Sequence, residues 1–202
     1  MLDLYQLPSS LWILGTGTGV GKTHVSSRIA GAWAAAGPVT YRKPFQTGVT
    51  GPDDPGADAA ALAGPNLSTE THLLLRAPLS PLAAARQEGR TLDLEAAAVW
   101  CARPAEGRIL LEGVGGLMVP LAPKVHFLSW ATELKLPCVL VAAGGLGTLN
   151  HTLLSAEALM LRGWRLEAIL VNPGADGTCP EVAEANAALL REFLPVPVHV
   201  LD

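Results

Sequence analysis

The chain has 202 residues, a formal net charge of −4, and hydrophobic residues at half of its positions. That length suits one domain spanning 1–202, with a core large enough to need neither disulfides nor a structural metal. The mildly acidic balance, with no run of Lys or Arg, argues against nucleic acid or an anionic membrane as the main partner.

In chain order, residues 11–14 form a short apolar run ending at Gly15 and read as a buried strand. A helix is predicted over 23–36, with Val25, Ile29, Trp33 and Ala36 at helical spacing and Gly37-Pro38 as its stop. A second strand follows at 39–42. A short Ala-rich helix is expected over 58–63, ending at Gly64. Residues 64–81 read as irregular, because prolines, glycines and polar residues interrupt any period. Helices are predicted over 82–88 and 94–102. A buried strand at 109–111 enters a Gly-rich turn at 112–116. A helix over 127–134 precedes a strand at 139–142, which runs into Gly144-Gly145. Then come a helix over 149–162 closed by Gly163, a strand at 168–171, and a helix over 180–193 with Pro at its first turn. The last element is an apolar strand at 196–201.

Strands alternate with helices, and the strands are continuous apolar runs. This pattern predicts an α/β fold: a doubly wound, mostly parallel sheet with helices on both faces. In such sheets the ligand site lies at the carboxyl ends of the strands. The loops at 15–23, 43–48, 112–116 and 144–150 are therefore the places to look for chemistry.

Cys101, Cys138 and Cys179 show no metal-ligand spacing and are expected to be small buried hydrophobes in a reducing compartment. The N-terminus, MLDLYQLPSS, has an acid where a signal peptide needs bases. No apolar run approaches the roughly 20 residues of a membrane helix. A cytoplasmic location is expected. Trp12, Trp33, Trp100, Trp130 and Trp164 are expected to serve packing.

The segment GTGTGVGKT at 15–23 sits between an apolar strand and a helix. Its glycines let backbone N–H groups turn onto phosphate oxygens, and the helix N-terminus adds its dipole. Thr18, Gly19, Val20 and Gly21 would supply amides, Lys22 would reach the β- and γ-phosphates, and the Thr23 hydroxyl would meet Mg²⁺. The spacer between Gly15 and Gly21 is one residue longer than in the standard phosphate loop.

Lys43, in YRKPFQTG, follows the second strand. It is either a solvated surface lysine or a cation facing the ligand crevice. Glu112, in RILLEGVGG, is either a turn acid or a carboxylate placed opposite Thr23 for Mg²⁺ or a metal-bound water. Asp58 is either a plain acid at a helix start or part of the same site.

Seven segments in order resemble dethiobiotin synthetase across nearly the whole chain: GTGTGVGKT, YRKPFQTG, ADAAALAG, SPLAAARQEGR, LLEGVGGLMVPL, GLGTLNHTLLSAEAL and ILVN. The lengthened phosphate loop is itself a feature of that family. The resemblance implies a P-loop α/β homodimer that joins 7,8-diaminopelargonate and CO₂ with cleavage of ATP. One amine takes up CO₂ as a carbamate, ATP phosphorylates the carbamate to a mixed anhydride, and the second amine closes the ureido ring. It implies that Lys43 is catalytic together with Lys22, and that Thr23, Asp58 and Glu112 hold Mg²⁺. Thr18, Lys43, Thr47 and Gly115 would line the diamine site. Gly147, Thr148, Leu149 and Asn150, at a helix start, would bind the substrate's distal carboxylate across the dimer. Asn172 with Pro173 would read the base, and His24 and Gly113 complete the nucleotide site.

Gly17 and Gly145 stand where relatives carry charged residues, and Thr47 stands where some have Ser. The sequence ends at Asp202, where relatives continue through a turn with a base-contacting proline, so the base preference is left open by the sequence. Two other readings compete. A partitioning or division-site ATPase of the deviant P-loop group would carry an early second lysine where Gly15-Thr16-Gly17 stands. A small-molecule phosphotransferase would not need the Lys43 segment and the Leu-Gly-x-x-Asn-His element together.

Overall fold

The computed structural model describes residues 2–51, 54–62, 64–134 and 136–202. Strand β1 (Ser10–Gly15) leads through the phosphate loop into α1 (Lys22–Ala34). Then follow β2 (Val39–Thr47), β3 (Leu67–Leu75), α2 (Pro81–Gln87), α3 (Leu94–Ala102) and β4 (Arg108–Glu112). A small hairpin, β5 (Pro120–Ala122) with β6 (Val125–His126), precedes α4 (Phe127–Thr132). The chain ends with β7 (Cys138–Ala143), α5 (Thr148–Met160), β8 (Leu166–Asn172), α6 (Pro180–Phe193) and β9 (Val198–Val200).

Seven strands form one sheet in the order β3-β2-β4-β1-β7-β8-β9, and every pairing in it is parallel. β1 lies at the centre. The chain builds one half of the sheet through β2, β3 and β4, then the other through β7, β8 and β9. The loops leaving β1, β4 and β7 therefore meet at one edge, at the reversal in strand order.

Side chains alternate across each strand. Leu11 and Ile13 of β1 pack with Leu110, Val139, Val141 and Leu170 under Val25, Ile29 and Trp33 of α1. Trp12 and Leu14 face the opposite side, with Leu111, Leu140, Ile169 and Val171, where α2 to α6 cover the sheet. Both faces of the central strands are thus buried, which is why these strands are apolar throughout rather than alternating. Trp12 sits edge-on to Phe127 and Trp130, and Trp33 donates its indole N–H to the Leu4 carbonyl.

The structure corrects the sequence reading in four places. Residues 67–75 are not irregular: LSTETHLLL is an edge strand in parallel register with β2 along most of its length. Its polar half is held by Glu70, which pairs with the buried Arg42 at 3.1 Å, so an ion pair stands where an apolar side chain would have signalled a strand. The second strand does not end at Arg42 but runs to Thr47, so Lys43 and Thr47 lie on a strand rather than in a loop. The expected helix at 58–63 is a 3-10 turn over Asp58–Ala61, and Ala63 lies outside the described residues. Cys101 and Cys138 are buried, as expected, but Cys179 is exposed at the start of α6. Among the described residues, no helix is long and apolar enough to cross a membrane.

Candidate functional site

Gly21 makes the bend from phosphate loop to helix. Its φ is 92°, and a Cβ there would lie 2.0 Å from Nδ2 of Asn172. Only glycine meets both conditions. That close approach lets Asn172 donate from Nδ2 to the Val20 carbonyl at 3.1 Å, tying the end of β8 to the loop.

Lys22 is the first residue of α1, and its chain is buried. Its ammonium donates to the carbonyls of Gly17 and Gly115, each at 2.9 Å, and so spans the phosphate loop and the loop after β4. Burial, reinforced by the charge of Lys43, lowers its pKa from 10.5 to about 8. The negative charge of a phosphate placed here would oppose that shift.

Lys43 and Glu112 form the buried centre of the site. The Glu112 side chain is fully buried, and four donors meet it. Lys43 Nζ at 2.7 Å and Thr23 Oγ1 at 3.0 Å reach Oε1, while Ser26 Oγ at 2.7 Å and the Tyr41 hydroxyl at 3.1 Å reach Oε2. Lys43 also pairs with Asp58 Oδ2 at 2.5 Å and donates to the Gly113 carbonyl at 3.0 Å. Burial disfavours its charge, but the two carboxylates outweigh that and raise its pKa. Asp58 is more open. Burial pushes its pKa up, Lys43 and the Thr23 hydroxyl pull it down, and the net shift is downward. Its carboxylate accepts from Thr23 at 2.9 Å, and its backbone N–H donates to Gln46 Oε1 at 3.3 Å. Burial and the neighbouring carboxylates hold the Tyr41 hydroxyl well above its ordinary pKa, so it remains a donor.

One pocket gathers Thr18, Gly19, Gly21, Lys22, Thr23, Lys43, Thr47, Asp58, Glu112 and Gly115. The solvated-surface reading of Lys43 is thereby excluded, since the residue is only 3% exposed. The side chain of Val20 packs into the core, and His24 is exposed on α1. Gly147, Thr148, Leu149 and Asn150 do not join the Lys43 pocket. Gly147 (φ 90°) caps α5, Thr148 donates to the Ala143 carbonyl at 2.6 Å, and Asn150 is exposed. An adjoining cleft holds Thr148 and His151 with Thr16, Gly17 and Thr18, so the phosphate loop is the wall between the two. Pro173 opens a 3-10 turn after β8 and packs on Gly144.

The sequence reading missed Ser26, Tyr41 and Gln46. Two had a readable signal: Ser26 stands three residues after Thr23 on α1, and Tyr41 stands two residues before Lys43 on β2, each on the face of its neighbour.

Thr23 Oγ1 lies within 3.0 Å of both carboxylates, so three hard oxygen donors converge at the start of α1. Among the described residues no group of three His, Cys, Asp or Glu could hold a metal. Mg²⁺ does not require one, because it is held by one or two carboxylates together with substrate phosphates. The donor set therefore fits that ion.

The family model described as an AAA domain matches residues 9–199. An ATP-dependent dethiobiotin synthetase from Methylobacterium nodulans is 38% identical over 198 residues, covering 89% of this chain and 88% of that protein. Its counterpart from Anaeromyxobacter dehalogenans strain 2CP-C is 40% identical, covering 95% and 88%. Among solved structures, the hydrogenase maturation factor HypB from Archaeoglobus fulgidus matches with a TM-score of 0.54 at 16% identity, over 96% of this chain and 80% of that one. The signal recognition particle receptor FtsY from Elizabethkingia anophelis also matches with a TM-score of 0.54 at 16% identity, over 96% and 59%. These two likenesses speak for the fold. The curated relatives, matched over 89% and 95% of this chain, speak for the family: the chain belongs to the dethiobiotin synthetases, a family of ATP-dependent ligases.

Proposed function

We propose that this protein closes the ureido ring of dethiobiotin from 7,8-diaminopelargonate and CO₂, with ATP as co-substrate and Mg²⁺ as cofactor. The observation that carries the reading is Lys43: a second buried ammonium in the phosphate-loop pocket, beyond the Lys22 that phosphate binding itself requires.

A carbamate and a triphosphate are both anionic and repel each other. Lys22 and Lys43 supply two positive charges on rigid elements, one on α1 and one on β2, in a partly dry pocket where such charges act strongly. The carbamate oxygen attacks the γ-phosphorus and ADP leaves. The second amine then attacks the carbonyl carbon of the mixed anhydride, loses a proton, and phosphate departs. Lys43 holds the carbamate oxygens towards the phosphate, and Thr18, Thr47 and Gly115 line the diamine's place. Thr23, Asp58 and Glu112 would hold Mg²⁺, which would neutralise phosphate charge. Much of the rate comes from positioning.

Asn172 and Pro173 lie beside the phosphate loop, where the base would extend from the phosphates. The Thr148 N–H at the start of α5 is taken by the Gly145 carbonyl, and the next N–H groups of the first turn and the helix dipole would face a carboxylate. We assign it the distal carboxylate of a substrate held by the partner protomer of a homodimer. The deciding assay supplies diamine, bicarbonate, ATP and Mg²⁺ and looks for dethiobiotin. No product from the wild-type chain overturns the reading.

A further inference from the structure

Glu112 is treated differently at its two oxygens. Oε1 faces the pocket and meets Thr23 and Lys43, the groups that would touch substrate and metal. Oε2 faces the protein and, among the described residues, meets only Ser26 and Tyr41, both fully buried neutral donors. Neither donor lines the pocket.

The fold places them there for separate reasons. Ser26 lies about one turn beyond Thr23 on α1, so both hydroxyls point at the end of β4. Tyr41 precedes Lys43 by two residues on β2, so both side chains leave the sheet on the face covered by α1. The terminal torsion of a glutamate is broad and nearly two-fold, so packing alone does not select which oxygen faces a site. Two hydrogen bonds to one oxygen do. Among the described residues Asp58 has no such backing: its carboxylate meets Thr23 and Lys43, the same groups that Oε1 meets.

We propose that Ser26 and Tyr41 are positioning residues, whose hydroxyls anchor Glu112 Oε2 so that Oε1 alone is presented to the phosphate pocket and sets the place of Lys43 and of a divalent cation. Glu112 is then the fixed wall of the site and Asp58 the adjustable one. The kinetic part rests on the ring-closing reading above; the metal-binding part does not.

The test compares Tyr41→Phe, Ser26→Ala and the double variant in the full chain. Tyr41→Phe keeps the buried ring and loses only the donor. Mn²⁺ serves as probe, with the free ion followed by electron paramagnetic resonance in the presence of ATP and without diamine. Removing an outer partner of a metal-holding carboxylate costs about 10- to 100-fold in affinity or activity. We expect a loss in that range in each single variant and a larger one in the double, with ATP affinity measured without divalent cation unchanged. Dethiobiotin formation should fall in kcat while KM for the diamine holds, a split that a general loosening of the core would not produce. Wild-type Mn²⁺ affinity in Tyr41→Phe overturns the role of Tyr41, and wild-type affinity in both single variants overturns the proposal. If the double variant fails to fold, the single variants decide. A wild-type chain that forms no dethiobiotin but loses Mn²⁺ affinity on substitution defeats the ring-closing reading and leaves this one standing.

Discussion

Two helix starts at the same edge of the sheet invite comparison. α1 begins after Gly21 (φ 92°) and α5 after Gly147 (φ 90°), and neither glycine offers a side-chain cap. Both helices follow central strands and have thirteen residues. The backbone device is the same: first-turn N–H groups and the positive end of a dipole aimed at whatever lies beyond the strand. The surroundings differ. At α1 stand Lys22, Lys43, Asp58 and Glu112, the set to which we assign polyanionic phosphate and its counter-ion. At α5 the cleft holds Thr148 and His151 but, among the described residues, no lysine or carboxylate, and the Thr148 hydroxyl is already spent on Ala143. Such a start suits a single carboxylate. The charged side chains around each start, not the backbone device they share, would separate the two ligands we propose.

The largest effect should come from Lys43→Ala. Loss of one preorganised charge at the reacting group costs on the order of 10²–10³ in kcat. Turnover to dethiobiotin should fall by that much while ATP affinity, read by titration calorimetry, stays within a few fold. A normal rate would break the comparison at its α1 side.

Next come the two glycines, tested as a pair. Both sit where a side chain strains the backbone, which costs roughly 1–2 kcal/mol. A Cβ at Gly21 also meets Asn172 at 2.0 Å, whereas one at Gly147 finds His151 at an ordinary 3.6 Å. Gly21→Ala should therefore lose more stability in urea titration than Gly147→Ala, and it alone should weaken ATP binding. Equal losses would remove the claim that Asn172 shapes the loop.

Thr148→Val deletes a hydrogen bond and should cost about 1 kcal/mol in the same titration. The smallest effect is expected from Asp176→Ala. The Asp176 carboxylate accepts from the Gly145 N–H at 2.9 Å and braces the loop before α5. Its loss should leave stability within about 0.5 kcal/mol, as for most surface changes. KM for the diamine should rise severalfold and kcat should not change. An unchanged KM would detach α5 from substrate binding.

Much was legible beforehand. The predicted helices at 94–102 and 180–193 coincide with α3 and α6, and the runs at 11–14 and 139–142 lie inside β1 and β7. The phosphate loop was legible because its chemistry is local: glycines, a lysine and a threonine in one turn. Strand β3 was not, because Glu70 belongs to a strand only by virtue of Arg42 on its neighbour. The extent of β2 was hidden too, since its pairing with β3 carries it past Lys43.

The residue order by itself determined the alternation of strands and helices, the phosphate loop and the set of residues able to do chemistry. These follow from periodicity, from backbone freedom at glycine and from side-chain functional groups, all properties of short stretches of chain. Only the tertiary structure decided that Lys43 lies between Asp58 and Glu112, that Ser26 and Tyr41 hold the far oxygen of Glu112, and that Lys22 reaches across to Gly115. Those partners are 15 to 93 residues apart in sequence. Their meeting is set by strand order and by how α1 seats on the sheet, which no local pattern encodes.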